Sequence, residues 1–128
     1  MSIQKYDTGI SRFVGNYSDA AVVSPHARWL YTSGTPGLDV NGVLPDGIEA
    51  QAELAWQNVF AALKAANMKP TDLVKTVSYV VRAEDVPAYV AVRAKWLGDI
   101  RPAQMLLLTP GFVNPQFLIE IEAIAAAE

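Results

Sequence analysis

The chain has 128 residues and a net charge of −3, with 10 Lys and Arg against 13 Asp and Glu. That length suits one domain, residues 1–128, able to bury a core without disulfide or metal staples, and the acidic balance argues against a nucleic-acid-binding face. There is no cysteine and one histidine, His26, which excludes disulfides, thiolate catalysis and Cys-based zinc, and disfavours a His-ligated metal or a Ser-His-Asp triad.

No apolar run approaches the roughly 18 residues of a membrane span. Met1–Tyr17 lacks the apolar stretch of a signal peptide. The expectation is a soluble, cytoplasmic protein with no membrane partner. Gly15–Ala20 is a polar loop by composition. Val22–Gly34 reads as two short strands around a turn at Ser24-Pro25-His26, where proline disfavours a continuing central strand. Thr35–Gly47 holds three of the eight glycines and two prolines and reads as a loop.

The next segment predicts a helix. Asp46 followed by Glu49 suits a capping-box-like start. Ile48, Ala52, Ala55, Val59, Leu63 and Ala66 then draw one apolar stripe at spacings of three and four. Asn67 provides a left-handed stop and Pro70 follows. Leu73–Val81, rich in β-branched and aromatic residues, predicts a strand. Glu84–Leu97 predicts a second helix ending at Gly98, with Pro87 tolerated only in its first turn. Gln104–Thr109 and Phe117–Ala125 predict the last strands. The order, roughly ββ–α–β–α–ββ, makes an α+β domain in which two helices cover one face of a mixed sheet. Val77–Val81 and Met105–Leu108 are apolar on both faces, so the uncovered face calls for a partner subunit and a homo-oligomer is expected.

Few residues suggest chemistry. In Ile119-Glu120-Ile121-Glu122-Ala123 the period of two puts both glutamates on one side. That side is either a solvated outer face or a cleft in which a carboxylate donates protons or orients water. The hydroxyls of Tyr31–Gly37 either hold a carboxylate or carbonyl oxygen beside free N–H groups or serve an ordinary turn. Arg93 and Arg101 are either surface charges or bidentate clamps for a substrate carboxylate. His26 reads as an exposed turn residue, and Trp29, Trp56 and Trp96 as core or interface aromatics. With no Walker loop, dinucleotide fingerprint or metal-ligand cluster in the sequence, no cofactor and no metal are expected.

Taken in order, several segments resemble the RidA/YjgF family of enamine/imine deaminases, older members of which carry the label endoribonuclease L-PSP. Gly15-Asn16-Tyr17-Ser18-Asp19-Ala20 resembles its G-P-Y-S-Q-A segment, and Tyr31-Thr32-Ser33-Gly34-Thr35 its strand-ending T-S-G-Q. Gln57-Asn58-Val59 through Ala65-Ala66-Asn67 resembles the helix that usually ends Ala-Ala-Gly. Asp72-Leu73-Val74-Lys75-Thr76 resembles D-[VIL]-V-K-T, and Ile119–Ala125 is nearly identical to the closing strand. The resemblance implies a chorismate-mutase-like α+β fold, a homotrimer and clefts between neighbouring subunits. It implies a small-molecule substrate, 2-aminoacrylate or its imine. In such a cleft an arginine binds the carboxylate and a glutamate helps water add to the imine carbon, releasing ammonia and a 2-keto acid. By position Glu120 matches that glutamate, and Tyr17, Ser33 and Gly34 fall on cleft segments.

The departure is in the strand near residue 104. The family reads Pro-Ala-Arg where this chain reads Pro102-Ala103-Gln104, with Leu106 for a frequent cysteine and Arg93 for a frequent asparagine. Losing a charged contact to a buried carboxylate costs about 1.5–3 kcal/mol, or about tenfold to hundredfold in affinity. Either Arg93 or Arg101 supplies the cation from another direction and deamination persists on an altered substrate, or the site takes a different ligand. The competing function is a non-catalytic metabolite-binding trimer. Ribonuclease activity, suggested only by the older label, is weakest, because phosphate contacts dominate nucleic-acid affinity.

Overall fold

The periodic segments settle into nine elements in the computed structural model, which describes residues 3–128. They are β1 Ile3–Tyr6, β2 Ala20–Val23, β3 Arg28–Tyr31, β4 Thr35–Pro36, α1 Ile48–Ala65, β5 Leu73–Val80, α2 Val86–Leu97, β6 Ala103–Leu108 and β7 Ile119–Ala127. The main sheet runs β3-β7-β5-β6, with the short β4 also on β7. Every pairing is antiparallel except β5 with β6, which are parallel and joined through α2. This is the expected mixed sheet of an α+β fold.

Both helices pack on one face. Ile119, Ile121, Ala123 and Ala125 of β7 are buried there against Ala52, Ala55, Trp56, Val59 and Leu63 of α1 and Tyr89 and Val92 of α2. The short alanine side chains of β7 let α1 lie close to the sheet. Thr76, Ser78 and Val80 of β5 point the same way, and Ser78 Oγ meets the buried Tyr89 hydroxyl at 2.5 Å. Burial pushes the Tyr89 phenol up to about 12.

The apolar stripe of α1 is buried as its spacing requires, but the start of the helix differs from expectation. Gly47, with φ +85°, is the N-cap, and no side chain caps it. Asp46 lies one residue too early, so the capping box does not form; Glu49 still sits in the first turn, where it complements the helix dipole. The far end closes as expected. Asn67 adopts φ +56°, its N–H donates to Lys64 O and the Met68 N–H to Leu63 O, the paired bonds of a Schellman stop.

Two further differences lie outside the helices. β1 is too short for its periodicity to be read, yet it pairs with β2, Ile3 opposite Val23, in a sheet of its own. Ile3 packs with Val74 and Ala126, so this pair covers one end of the face opposite the helices. The rest of that face stays uncovered in the chain, with Trp29, Tyr31 and Met105 exposed. Thr35–Pro36, read as loop, adds two residues of strand to β7.

Polar side chains of α1, the buried Gln51 and the half-buried Asn58, hold the loops that lead into the strands. Gln51 donates to Pro45 O and Gln116 O and accepts from the Leu118 N–H at 2.9 Å. Asn58 donates to Pro36 O at 3.0 Å and Leu38 O at 2.9 Å. A Cβ on Gly37 would collide with the Gln51 backbone, so only glycine lets this loop lie against α1.

The left-handed stop gives a direct test. Asn67→Ala is expected to lower unfolding stability in urea by about 1 kcal/mol, while Asn67→Gly leaves it unchanged or raises it.

Candidate functional site

The N-terminal loop is shaped before it reaches the site. The Asp19 carboxylate accepts from the backbone N–H groups of Thr8 (2.7 Å) and Ser11 (2.8 Å). Ser18 Oγ donates to Arg101 O at 2.5 Å, the Ser18 N–H donates to Pro102 O, and the Arg101 guanidinium donates to Tyr17 O at 2.8 Å. These bonds fasten residues 17 and 18 to the start of β6. The Tyr17 ring is left over Gly15, where an added Cβ would lie 3.3 Å from it.

A cavity of about 440 Å³ opens between this loop, α2 and β6. Tyr17, Arg93 and Gln104 line it, together with Val86, Val90, Leu97, Ile100 and Leu106. Gln104 pairs in register with Thr76 and so shares the helix-side face of the sheet. Its Oε1 is buried without a hydrogen-bond partner among the described residues.

Arg93 is half-buried on α2, its Cζ 5.7 Å from the Tyr89 ring centroid. Burial draws the guanidinium below its usual range, although an arginine so placed stays charged. Among the described residues no carboxylate forms an ion pair with it. Arg101 differs. It is absent from the cavity lining, and its guanidinium holds the Tyr17 carbonyl. Of the two arginines offered by the sequence, only Arg93 faces the cavity.

The other candidates lie across the sheet. Glu120 and Glu122 alternate with the buried isoleucines and share the helix-free face with Tyr79, whose hydroxyl donates to Glu122 Oε1 at 2.6 Å. Glu120 is half-buried and rests against Gly34: a Cβ there would strike its carboxylate. Burial raises the Glu120 carboxyl above the usual range. Ser33 is exposed, its carbonyl accepting from Thr35 Oγ1, while Thr32 fixes the approach by exchanging bonds with the Ala123 backbone. One chain therefore gathers Tyr17, Arg93 and Gln104 on one side and Ser33, Gly34 and Glu120 on the other. The cavity's apolar wall and the Tyr79–Glu122 bond were not foreseen. The first needs the packing of α2 on β6, and the second the register of β5 on β7.

Residues 9–127 match the family model described as Endoribonuclease L-PSP. The chain belongs to this family. Among its relatives is the 2-iminobutanoate/2-iminopropanoate deaminase of Rattus norvegicus, 30% identical over 114 residues, covering 88% of this chain and 80% of that protein. Another is a protein of Lactococcus lactis named as a proposed regulator, AldR, 32% identical over 114 residues, 88% of this chain and 87% of its own. The fold of a Yersinia pestis protein of unknown function in the Rid family superposes with a TM-score of 0.86 at 26% identity, over 99% of this chain and all of that one. The RidA/YjgF resemblance read from the sequence thus holds.

Glu120 offers a pH test. Its NMR titration midpoint is expected above the usual glutamate value of about 4.3. A raised folded pKa means that ionisation opposes folding, so stability held at low pH falls as pH rises through that midpoint. Glu120→Gln, which cannot ionise there, is expected to gain stability relative to wild type over the same range.

Proposed function

We propose that this RidA-family protein is a hydrolytic deaminase of 2-imino acids, and that its working site forms between copies of the chain in a homotrimer. The observation that carries this reading is Glu120, a half-buried carboxyl with a raised pKa on the face that has no helix over it. Partly shielded from water beside Gly34, it suits a group that takes a proton and gives it back. The rat relative's name supplies the reaction class.

In the proposed reaction Arg93, rather than an arginine at position 104, binds the substrate carboxylate. The Glu120 carboxylate of a neighbouring copy takes a proton from water as the water oxygen bonds to the imine carbon. Glu120 returns that proton to the nitrogen, so the tetrahedral carbon carries OH and NH2. Glu120 then takes the hydroxyl proton and passes it to the nitrogen as the C–N bond breaks, so that C=O forms and ammonia and a 2-oxo acid leave. A second copy is needed because the cavity and Glu120 lie on opposite sides of one chain's sheet. The exposed Trp29, Tyr31 and Met105 give that copy an apolar surface to cover. Gln104 favours a second reading, a non-catalytic metabolite binder, since it replaces the family's charged clamp.

An amino-acid oxidase that generates imines beside excess semicarbazide measures the reaction as slower semicarbazone formation. Wild type is expected to compete with the trap, and Glu120→Gln to lose about 10²–10⁴-fold. Activity seen only in Gln104→Arg would favour the binder instead.

Light scattering should give about 42 kDa, three times the 13.9 kDa chain mass. Glu120→Gln and Arg93→Met, each inactive alone, should regain about a quarter of wild-type activity when co-assembled, because random mixing completes that share of sites. No recovery in verified mixed trimers would show that both residues act within one chain.

A further inference from the structure

We propose that the cavity selects 2-imino acids with an apolar side chain of three or more carbons, and that Gln104 Oε1 accepts the hydrogen of the substrate's imine nitrogen. This deepens the deaminase reading and takes its reaction from it.

The side-chain preference comes from the wall. Val86, Val90 and Leu97 of α2 face Ile100 and Leu106 across the cavity, and Arg93 is its one charged lining group. Its volume lies within the range of about 300–1,000 Å³ usual for small-ligand sites. A substrate with a single methyl would leave most of this apolar surface against water. A longer apolar chain removes it from water while its carboxylate stays at Arg93.

The role of Gln104 comes from its unmet valence. Its Oε1 is buried, and no described residue donates to it, not even Thr76, its register neighbour. A buried acceptor without a donor is costly, so a ligand that brings one is favoured. An arginine at this position offers only donors and cannot accept the imine hydrogen. A glutamine adds an acceptor. The imine N–H supplies the missing hydrogen, whereas the 2-oxo product has none, so the same contact that holds the substrate lets the product go.

The test compares imines made from alanine, 2-aminobutyrate, norvaline and leucine. kcat/KM is expected to rise about fourfold per added carbon, and about 60-fold from the alanine to the leucine imine. Val90→Phe, which fills the wall, should flatten the series. Gln104→Leu should lower kcat/KM about tenfold while leaving the affinity for 4-methyl-2-oxopentanoate, read by calorimetry, unchanged. A flat wild-type series in an active enzyme overturns the proposal and spares the deaminase reading. If no imine is turned over, that reading falls and calorimetry on wild type decides this one. Tighter binding of 4-methyl-2-oxopentanoate than of 2-oxopropanoate, and of leucine than of 4-methyl-2-oxopentanoate, sustains it; equal affinities overturn it. These wild-type arms decide even if a variant fails to fold.

Discussion

A strand offers its side chains only two directions, and β7 uses them for unlike purposes. Ile119, Ile121, Ala123 and Ala125 go under the helices, while Glu120 and Glu122 face away. A slip of one residue would drive two carboxylates into the core, so the register is specified by the penalty for error. It is also held locally. Gln51 grips the Leu118 N–H just before the strand begins, and Thr32 pairs with Ala123 in its middle. Asn58 holds the carbonyls of Pro36 and Leu38, which brings Gly34 against Glu120. The position of the candidate acid is thus a property of the core rather than of a mobile loop.

Much of this was legible because long segments repeat their signal. The α1 stripe and the alternation of β7 each extend over several residues, and periodicity of that length identifies both the element and its buried face. The Asn67 stop was legible because few non-glycine residues tolerate a left-handed backbone. What escaped was short or non-local. β1 has four residues and means nothing without β2, fourteen residues further on. Asp46 has the chemistry of a cap, but the chain turns into the helix one residue later, at Gly47.

The candidate site divides in the same way. Tyr17, Arg93 and Gln104 could be named from the sequence, but only the packing of α2 on the edge strand β6 makes them neighbours. The two arginines were indistinguishable as letters. Their backbone surroundings separate them, since Arg101 finds the Tyr17 carbonyl within reach and Arg93 finds an aromatic ring and open space. Charge alone is a poor guide to a binding cation; what marks one is a guanidinium left without a partner in a partly buried place.

The alanines of β7 set a limit on how this protein can diverge. Ala123 and Ala125 are buried beneath the helices, and a close-packed interior resists larger replacements. Drift on that strand therefore meets a steric barrier, and the glutamates it carries share its immobility. The walls of the cavity stand under no such restraint: Val90 and Leu106 border empty space, where one size of apolar side chain can replace another. The fold separates a nearly unalterable acid from a readily remoulded enclosure, an arrangement in which new ligand preferences can accumulate while the carboxylate stays where it is.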